Sequence, residues 1–405
     1  MDGEQTRIYL ERSKSSPIDL SLKRSTGIFP DDPLFQIIPH ATGRLKSLSI
    51  RGTPEDIEAI TSHLSHPAPL LEYLSIYAGY RDLSDHHPAL TSALFRGDFS
   101  SLRILHLGFA RTELPWRNMV NLTSFRLAHT PPGAVTAGQL LDFFESAPHL
   151  REVTLTFATP TAGAQNGRLV SMACLKSMYI DGSSPSSVLL DHLLIPVGAE
   201  LKTRAVLFSS LVGEHLPKSL DNLKNFSDFT TVRLCLGEYY PRVEFSGPNG
   251  QVITVPRTSQ DDRTGLALGS LIGLDTSKTE QLEIDHGNGL SRDPFYQALL
   301  STINLRTLML FRCTRLHTFI EALDPRMDLS GVVVCPKLEE LVVTIHVHGE
   351  IFDIKSIIEM AAARASRGEE IRTIRIIDGR DKADVDVSEL RRYVWNVEYV
   401  PGVGL

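Results

Sequence analysis

The chain has 405 residues, a formal net charge of −7 and 42% hydrophobic residues, so it holds enough apolar material for a core and no large part reads as disordered. The acidic balance argues against a nucleic-acid surface, which needs a basic face. Cys174, Cys235, Cys313 and Cys335 form no C-x-x-C pair, which disfavours a zinc site or a disulfide scaffold, and no run approaches the roughly 18 apolar residues of a membrane span.

The N-terminus, MDGEQTRIYLERSKSS, lacks the apolar core of a signal peptide, so an intracellular protein, cytoplasmic or nuclear, is expected. From residue 45 onward, nine stretches repeat an aliphatic, two mostly polar residues, an aliphatic, a spacer and another aliphatic. They are Leu45-Leu48-Ile50, Leu71-Leu74-Ile76, Leu102-Leu105-Leu107, Leu122-Phe125-Leu127, Leu150-Val153-Leu155, Leu175-Met178-Ile180, Leu305-Leu308-Leu310, Leu338-Leu341-Val343 and Ile371-Ile374-Ile376. Phe229-Val232-Leu234 and Val394-Val397-Tyr399 extend the series, and Leu282-Ile284 is a copy with Thr279 in the first position. Three aliphatics at these offsets arise about ten times by chance in so aliphatic a chain, but requiring polar spacers such as Lys46, Glu72, Arg103 and Arg151 lowers that to roughly two or three. Three residues past the last aliphatic stand small residues (Thr53, Gly79, Ala110, Thr130, Ala158, Ser183, Gly237, Gly287, Cys313, Gly379), with His346 the exception. A large side chain there would collide with a neighbouring coil. This is the L-x-x-L-x-L pattern of a leucine-rich repeat.

Helices are expected between the strands. Thr53-Pro54-Glu55-Asp56 supplies an N-cap, a first-turn proline and early acids, and Thr136 with Gln139 forms a capping-box pair. Asp293-Pro294 opens another helix, and Ile354 to Arg367 ends at Gly368. Pro67, Pro69, Pro148 and Pro336 stop helices just before strands. Between Leu175 and Phe229, Val206 to Phe208 reads as a degenerate strand. Further on, Val243 to Phe245 and Val252 to Val255 flank an Asn-Gly turn and read as a β-hairpin, with Pro256 to Thr264 as a polar loop. The expected fold is therefore α/β: an open leucine-rich-repeat solenoid, or horseshoe, of about ten to twelve roughly parallel strands, with irregular repeats and a β-hairpin insertion. Its divisions are an N-terminal segment or cap (1–40), a first run of repeats (41–240), the insertion (241–270), and a second run with a C-terminal cap (271–405).

Three segments and the strand–helix rhythm carry a resemblance: Leu10-Glu11-Arg12-Ser13-Lys14-Ser15-Ser16-Pro17-Ile18-Asp19-Leu20, Phe245-Ser246-Gly247-Pro248-Asn249-Gly250, and Val334-Cys335-Pro336-Lys337-Leu338-Glu339-Glu340-Leu341. With these the chain resembles the divergent F-box/leucine-rich-repeat-like proteins of mushroom-forming fungi. In that family the first segment follows an F-box, a helical module that docks on the adaptor of a ubiquitin ligase. Here only nine residues precede Leu10, so the F-box is expected to be lacking. The resemblance implies a target-recognition region, with the ligase adaptor as a partner only if an F-box is restored upstream.

No catalytic arrangement, cofactor or metal site is expected. His346, His348 and Glu350 alternate at one strand end without a further ligand, and Asp85-His86-His87-Pro88 and Asp285-His286 read as loop residues. Gly265 to Gly273 lacks a P-loop Lys-Ser/Thr, and G-x-S-x-G is absent. The remaining reading is binding of an unidentified protein. Strand alternation puts Tyr73, Tyr77, His106, Arg126, Tyr179, Arg233, Glu283, Asp285, Met309, Phe311 and Arg375 on the concave face. Of these, Tyr73, Tyr77, His106, Arg126, Tyr179, Arg233 and Phe311 are the candidate partner-binding residues, because Tyr and Arg bury much area while keeping a polar end. Two functional readings stand: the recognition part of an F-box receptor, and a free-standing repeat scaffold with no ligase link. Trp116, in Leu114-Pro115-Trp116-Arg117, reads either as the cap of a convex loop or as a second contact.

Overall fold

A computed structural model describes residues 3–23, 34–79, 87–91, 93–112, 118–131, 133–158, 160, 167–182, 187–205, 222–223, 229–235, 242–248, 252–256, 276–286, 292–313, 315–327, 332–345, 354–378 and 386–401. The chain divides into two compact units, Met1–Lys202 with Pro217–Lys224, and Thr203–Leu216 with Asn225–Leu405.

The first unit is built on strands β1 (Ile18–Lys23), β2 (Leu45–Gly52), β3 (Tyr73–Ala78), β4 (Ile104–Gly108), β5 (Ser124–Ala128), β6 (Glu152–Thr156) and β7 (Ser177–Gly182), paired in parallel and in chain order. Alternation explains the packing. Leu48 and Ile50, Leu74 and Ile76, Leu105 and Leu107, and Phe125 and Leu127 stack in register on one face and are buried. The polar residue after each first aliphatic also has a backbone role. Glu72 N–H donates to Lys46 O (2.8 Å), Arg103 N–H to Glu72 O (2.9 Å), Thr123 N–H to Arg103 O (2.8 Å) and Arg151 N–H to Thr123 O (2.8 Å). The ladder thus begins one residue ahead of each strand's apolar alternation, while the side chains stay in solvent.

Helices α1 (Gly3–Arg12), α2 (Leu34–Ala41), α3 (Pro54–Ser62) and α4 (Ala137–Ser146) belong to this unit. Thr53 Oγ1 accepts from Asp56 N–H while Asp56 Oδ2 accepts from Thr53 N–H, closing a capping box with Pro54 in the first turn. Thr136 and Gln139 close a second. Helix α4 turns Leu140, Leu141, Phe143 and Phe144 inward, and Phe143 meets Phe125 of the sheet at 4.6 Å between ring centroids.

The second unit holds β8 (Thr231–Cys235), β9 (Arg242–Ser246), β10 (Val252–Pro256), β11 (Gln281–Asp285), β12 (Thr307–Phe311), β13 (Glu340–Ile345), β14 (Thr373–Asp378) and β15 (Asn396–Pro401). Their order is β10-β9-β8-β11-β12-β13-β14-β15; β10/β9 and β9/β8 are antiparallel, and all other neighbours are parallel. Helices α5 (Arg292–Ser301), α6 (Leu316–Leu323) and α7 (Ile354–Ala365) accompany this sheet, with α6 packed against both others. Helix α7 ends as its glycine requires: Gly368 has φ +77° and Glu369 N–H donates to Arg364 O at 3.1 Å. Arg364 is fully buried, and its guanidinium donates to Val334 O and Cys335 O, both at 2.9 Å, fixing the left-handed turn at Cys335 that precedes β13.

This architecture corrects the expected leucine-rich-repeat solenoid. The protein is α/β, with two units each organised by a large, mostly parallel central sheet. The L-x-x-L-x-L triplet records only a turn into a strand and alternating burial along it. Any parallel sheet whose strands pair in chain order produces that rhythm. Helices do form at the four places where the sequence marked them, Pro54–Ser62, Ala137–Ser146, Arg292–Ser301 and Ile354–Ala365, while between β3 and β4 the helical element among the described residues is a 3-10 turn, Leu94–Gly97. The hairpin forms, but its strands β9 and β10 pair on with β8 as part of the second unit's sheet rather than as an insertion beside it. Val206 to Phe208 and Arg257 to Thr264 lie outside the described residues. Among the described residues, no helix is long and apolar enough to cross a membrane.

Candidate functional site

All-parallel sheets are normally covered on both faces. The first unit's sheet buries one face and leaves the other half-exposed, and register orders that second face into rows. One row runs Asp19, Ser47, Tyr73, Ile104, Ser124, Glu152 and Ser177 across β1 to β7. The next runs Ser21, Ser49, Ser75, His106, Arg126, Thr154 and Tyr179. The third runs Lys23, Arg51, Tyr77, Gly108, Ala128, Thr156 and Asp181.

Within these rows the structure brings Tyr73, Tyr77, His106 and Arg126 together. Tyr73 meets His106 edge-on at 5.6 Å between ring centroids, with the planes at 79°. The Arg51 guanidinium lies 5.0 Å from the centre of the Tyr77 ring, a cation–π contact. The Tyr77 ring in turn lies over Gly108. A Cβ on Gly108 would come within 2.4 Å of Tyr77 Cδ2, so only glycine lets the ring take this position. Tyr179 stands two strands beyond Arg126 on the same face, its hydroxyl donating to Asp181 at 3.1 Å.

Beside Tyr77 the chain forms a column of rings that the sequence reading did not anticipate. Tyr77 meets Phe109 edge-on at 5.3 Å; Phe109 stacks on His129 at 4.3 Å with planes 2° apart, and His129 stacks on Phe157 at 4.8 Å. Phe109, His129 and Phe157 have φ of +55°, +53° and +49°. Left-handed backbone in such residues costs roughly 1–3 kcal/mol each and persists only where surroundings hold it. Here Phe109 N–H donates to Ala128 O (2.9 Å), His129 N–H to Thr156 O (2.7 Å) and Phe157 N–H to Asp181 O, so each turn is tied to the end of the following strand.

Burial lowers the pKa of His106, and the Arg126 charge lowers it further against the opposing pull of Glu152. Burial also lowers His129, with Asp181 raising it and Arg126 lowering it. Both imidazoles are therefore biased toward the neutral form chiefly by burial, reinforced by the Arg126 charge at His106 and opposed by Asp181 at His129.

The other candidates fall in the second unit. Arg233 Nε lies 2.8 Å from Glu283 Oε1, an ion pair not aligned as a hydrogen bond. Phe311 and Met309 are half-buried on β12. Asp285 is not a surface residue as expected: it is buried, takes Arg312 Nε at 2.8 Å and lies 3.1 Å from His286 Nδ1. Burial raises the Glu283 pKa, with Arg233 opposing. Among the described residues no three His, Cys, Asp or Glu side chains gather as a metal-binding group. His346, His348, Glu350, Trp116 and Gly265 to Gly273 lie outside the described residues.

Sequence reasoning missed Lys23, Arg51, Phe109, His129 and Phe157. The signal for the three rings was present two places past the last aliphatic, after Leu107, Leu127 and Leu155, one place before the small residues that had been noted. No family model matches the chain, and no curated protein matches it either.

Proposed function

We propose that the chain is a non-catalytic protein-binding module whose contact surface is the half-exposed face of the first unit's sheet. The observation that supports this most is an all-parallel sheet with one face left half-exposed among the described residues at Tyr73, Tyr77, His106, Arg126 and Tyr179. Tyrosine rings fill partner pockets while their hydroxyls keep hydrogen bonds, and a guanidinium forks onto a carboxylate. The resemblance carried by residues 10–20 and 334–341 supports assigning this binding to target recognition for a ubiquitin ligase, any transfer chemistry being performed by other subunits.

Site-specific photo-crosslinking tests the surface. A photoreactive residue at Ser49 or Ser75 should trap one defined partner protein, and the same residue at Glu58 of α3 or Lys355 of α7 should not. Crosslinks only at the helix positions, or at none of the four, would put the contact surface elsewhere.

A further inference from the structure

The depression on this face has an electrostatic character that the candidate tyrosines alone do not explain. A cavity of about 400 Å³ opens over β1 to β5, floored where Ser21, Ser49 and Ser75 occupy adjacent positions of one row. Three small side chains in register leave a hollow, and the larger Tyr77, His106 and Arg126 wall it. Its charged lining is Lys23, Arg51 and Arg126, with no carboxylate among the described residues. None of these three has an ion-pair partner among the described residues, although the chain as a whole carries a net charge of −7.

From this we infer that the hollow binds an acidic, extended peptide segment of the partner protein, with Arg51 and Arg126 each receiving a carboxylate. The inference rests on the protein-binding reading above and adds the chemistry of the bound segment. Serine hydroxyls donate to carboxylate oxygens, and planar guanidinium groups match them two bonds at a time. Tyr77 holds the Arg51 guanidinium against its ring, so the fork is oriented before anything binds. Across the sheet, Arg51 on β2 and Arg126 on β5 are three strand spacings apart, about 14 Å at about 4.8 Å per strand, with an offset of two residues along the strands. An extended chain covers that distance in about four residues. The preferred segment therefore carries two acidic side chains about four positions apart and lies across the strands.

The test uses the full chain and a fluorescein-labelled synthetic peptide with two glutamates separated by three uncharged residues, read by fluorescence anisotropy at low and at physiological salt. Parallel arms replace both glutamates with glutamine, with lysine, or with phosphoserine. The glutamate peptide should bind at least tenfold tighter than the glutamine and lysine peptides, and weaken as salt rises. Arg51→Gln with Arg126→Gln should lose at least tenfold while its thermal melting stays that of the parent, since both side chains are exposed. Arg51→Glu with Arg126→Glu should turn the preference to the lysine peptide. Equal binding of the glutamine peptide, undiminished binding by the glutamine variant, binding of the phosphoserine peptide alone, or no binding of any peptide would each overturn the inference. The photo-crosslinked partner separates the two failures. If Ser49 and Ser75 still trap it and neither arginine matters, the acidic chemistry is wrong and the protein-binding surface stands.

Discussion

In the second unit, the row through Arg233 runs Arg233, Glu283, Met309, Val342, Arg375 and Glu398 across β8, β11, β12, β13, β14 and β15. Each arginine stands beside a glutamate: Arg233 is 2.8 Å from Glu283, and Arg375 donates to Glu398 at 2.7 Å. In the first unit, Arg51 stands between Lys23 and Tyr77, and Arg126 between His106 and Thr154; the carboxylate in these rows, Asp181, lies at the far strand β7 and accepts from the Tyr179 hydroxyl. The strand positions are equivalent and the charge arrangement is not. Exposed ion pairs add little stability, so the difference matters chiefly for recognition: a guanidinium already facing a carboxylate has spent its fork, and one facing a tyrosine ring or a threonine has not. The first face is therefore the one prepared for an external acid, while the second is neutralised within its own sheet.

Four measurements would break or sharpen that contrast. The largest effect belongs to what the two units share. Leu105 of β4 and Leu308 of β12 are both 0% exposed. Either change to alanine should cost roughly 2–5 kcal/mol in chemical denaturation, because a cavity is left beside the sheet. A cost below about 0.5 kcal/mol at either site would mean that the two strands do not hold equivalent core positions.

Next in size is the second unit's internal pairing. Asp285→Ala removes the buried acceptor of Arg312 and should cost about 1–3 kcal/mol. Arg51→Ala in the first unit should stay within about 0.5 kcal/mol of the parent. Equal losses at the two sites would show that the first unit's cations also serve the fold.

Binding should respond in the opposite sense. Arg126→Ala should weaken a captured partner by about 2 kcal/mol, about thirtyfold, with melting unchanged. Arg375→Ala should leave the affinity as it was. Titration of the purified partner against both variants decides this, and a loss confined to Arg375→Ala would reverse the comparison.

Local structure was the most legible part in advance. Aliphatics at strand spacing located Leu105 and Leu308, and short-range side-chain chemistry located the caps at Thr53, Thr136 and Gly368. Strand β1 was missed although Ile18-Asp19-Leu20-Ser21-Leu22 alternates cleanly, because that segment had been assigned to an N-terminal cap; Lys23 was lost with it. Division into two units depends on contacts between distant segments, which a local triplet does not encode. The same holds for charge pairing. Arg233 and Glu283 are 50 positions apart in the chain and adjacent only through register, while nothing local distinguishes Arg126 as lacking such a neighbour. Asp285 was misplaced on the surface because alternation assigns a face but cannot see Arg312 folding over the carboxylate.

The smallest expected effect is a difference in pH response. In the first unit, burial and the Arg126 charge hold His106 below the ordinary imidazole value of 6.5, and burial lowers His129 as well. The unfolded chain then takes up protons more readily than the folded one as pH falls through 6.5, so this contribution to stability is complete above that value and declines below it. In the second unit, burial raises Glu283 above the ordinary value of 4.5. There the folded state protonates first, so acidification relieves a buried charge, and the contribution turns favourable as pH falls through the raised value. Thermal melting from pH 7.5 to 4.5 should therefore fall less steeply for His106→Gln than for the parent, and more steeply for Glu283→Gln. Arg126→Gln should also flatten the His106 response, because it removes a positive charge that opposes protonation. Parallel curves for the parent and all three variants would mean that neither face couples its charges to folding.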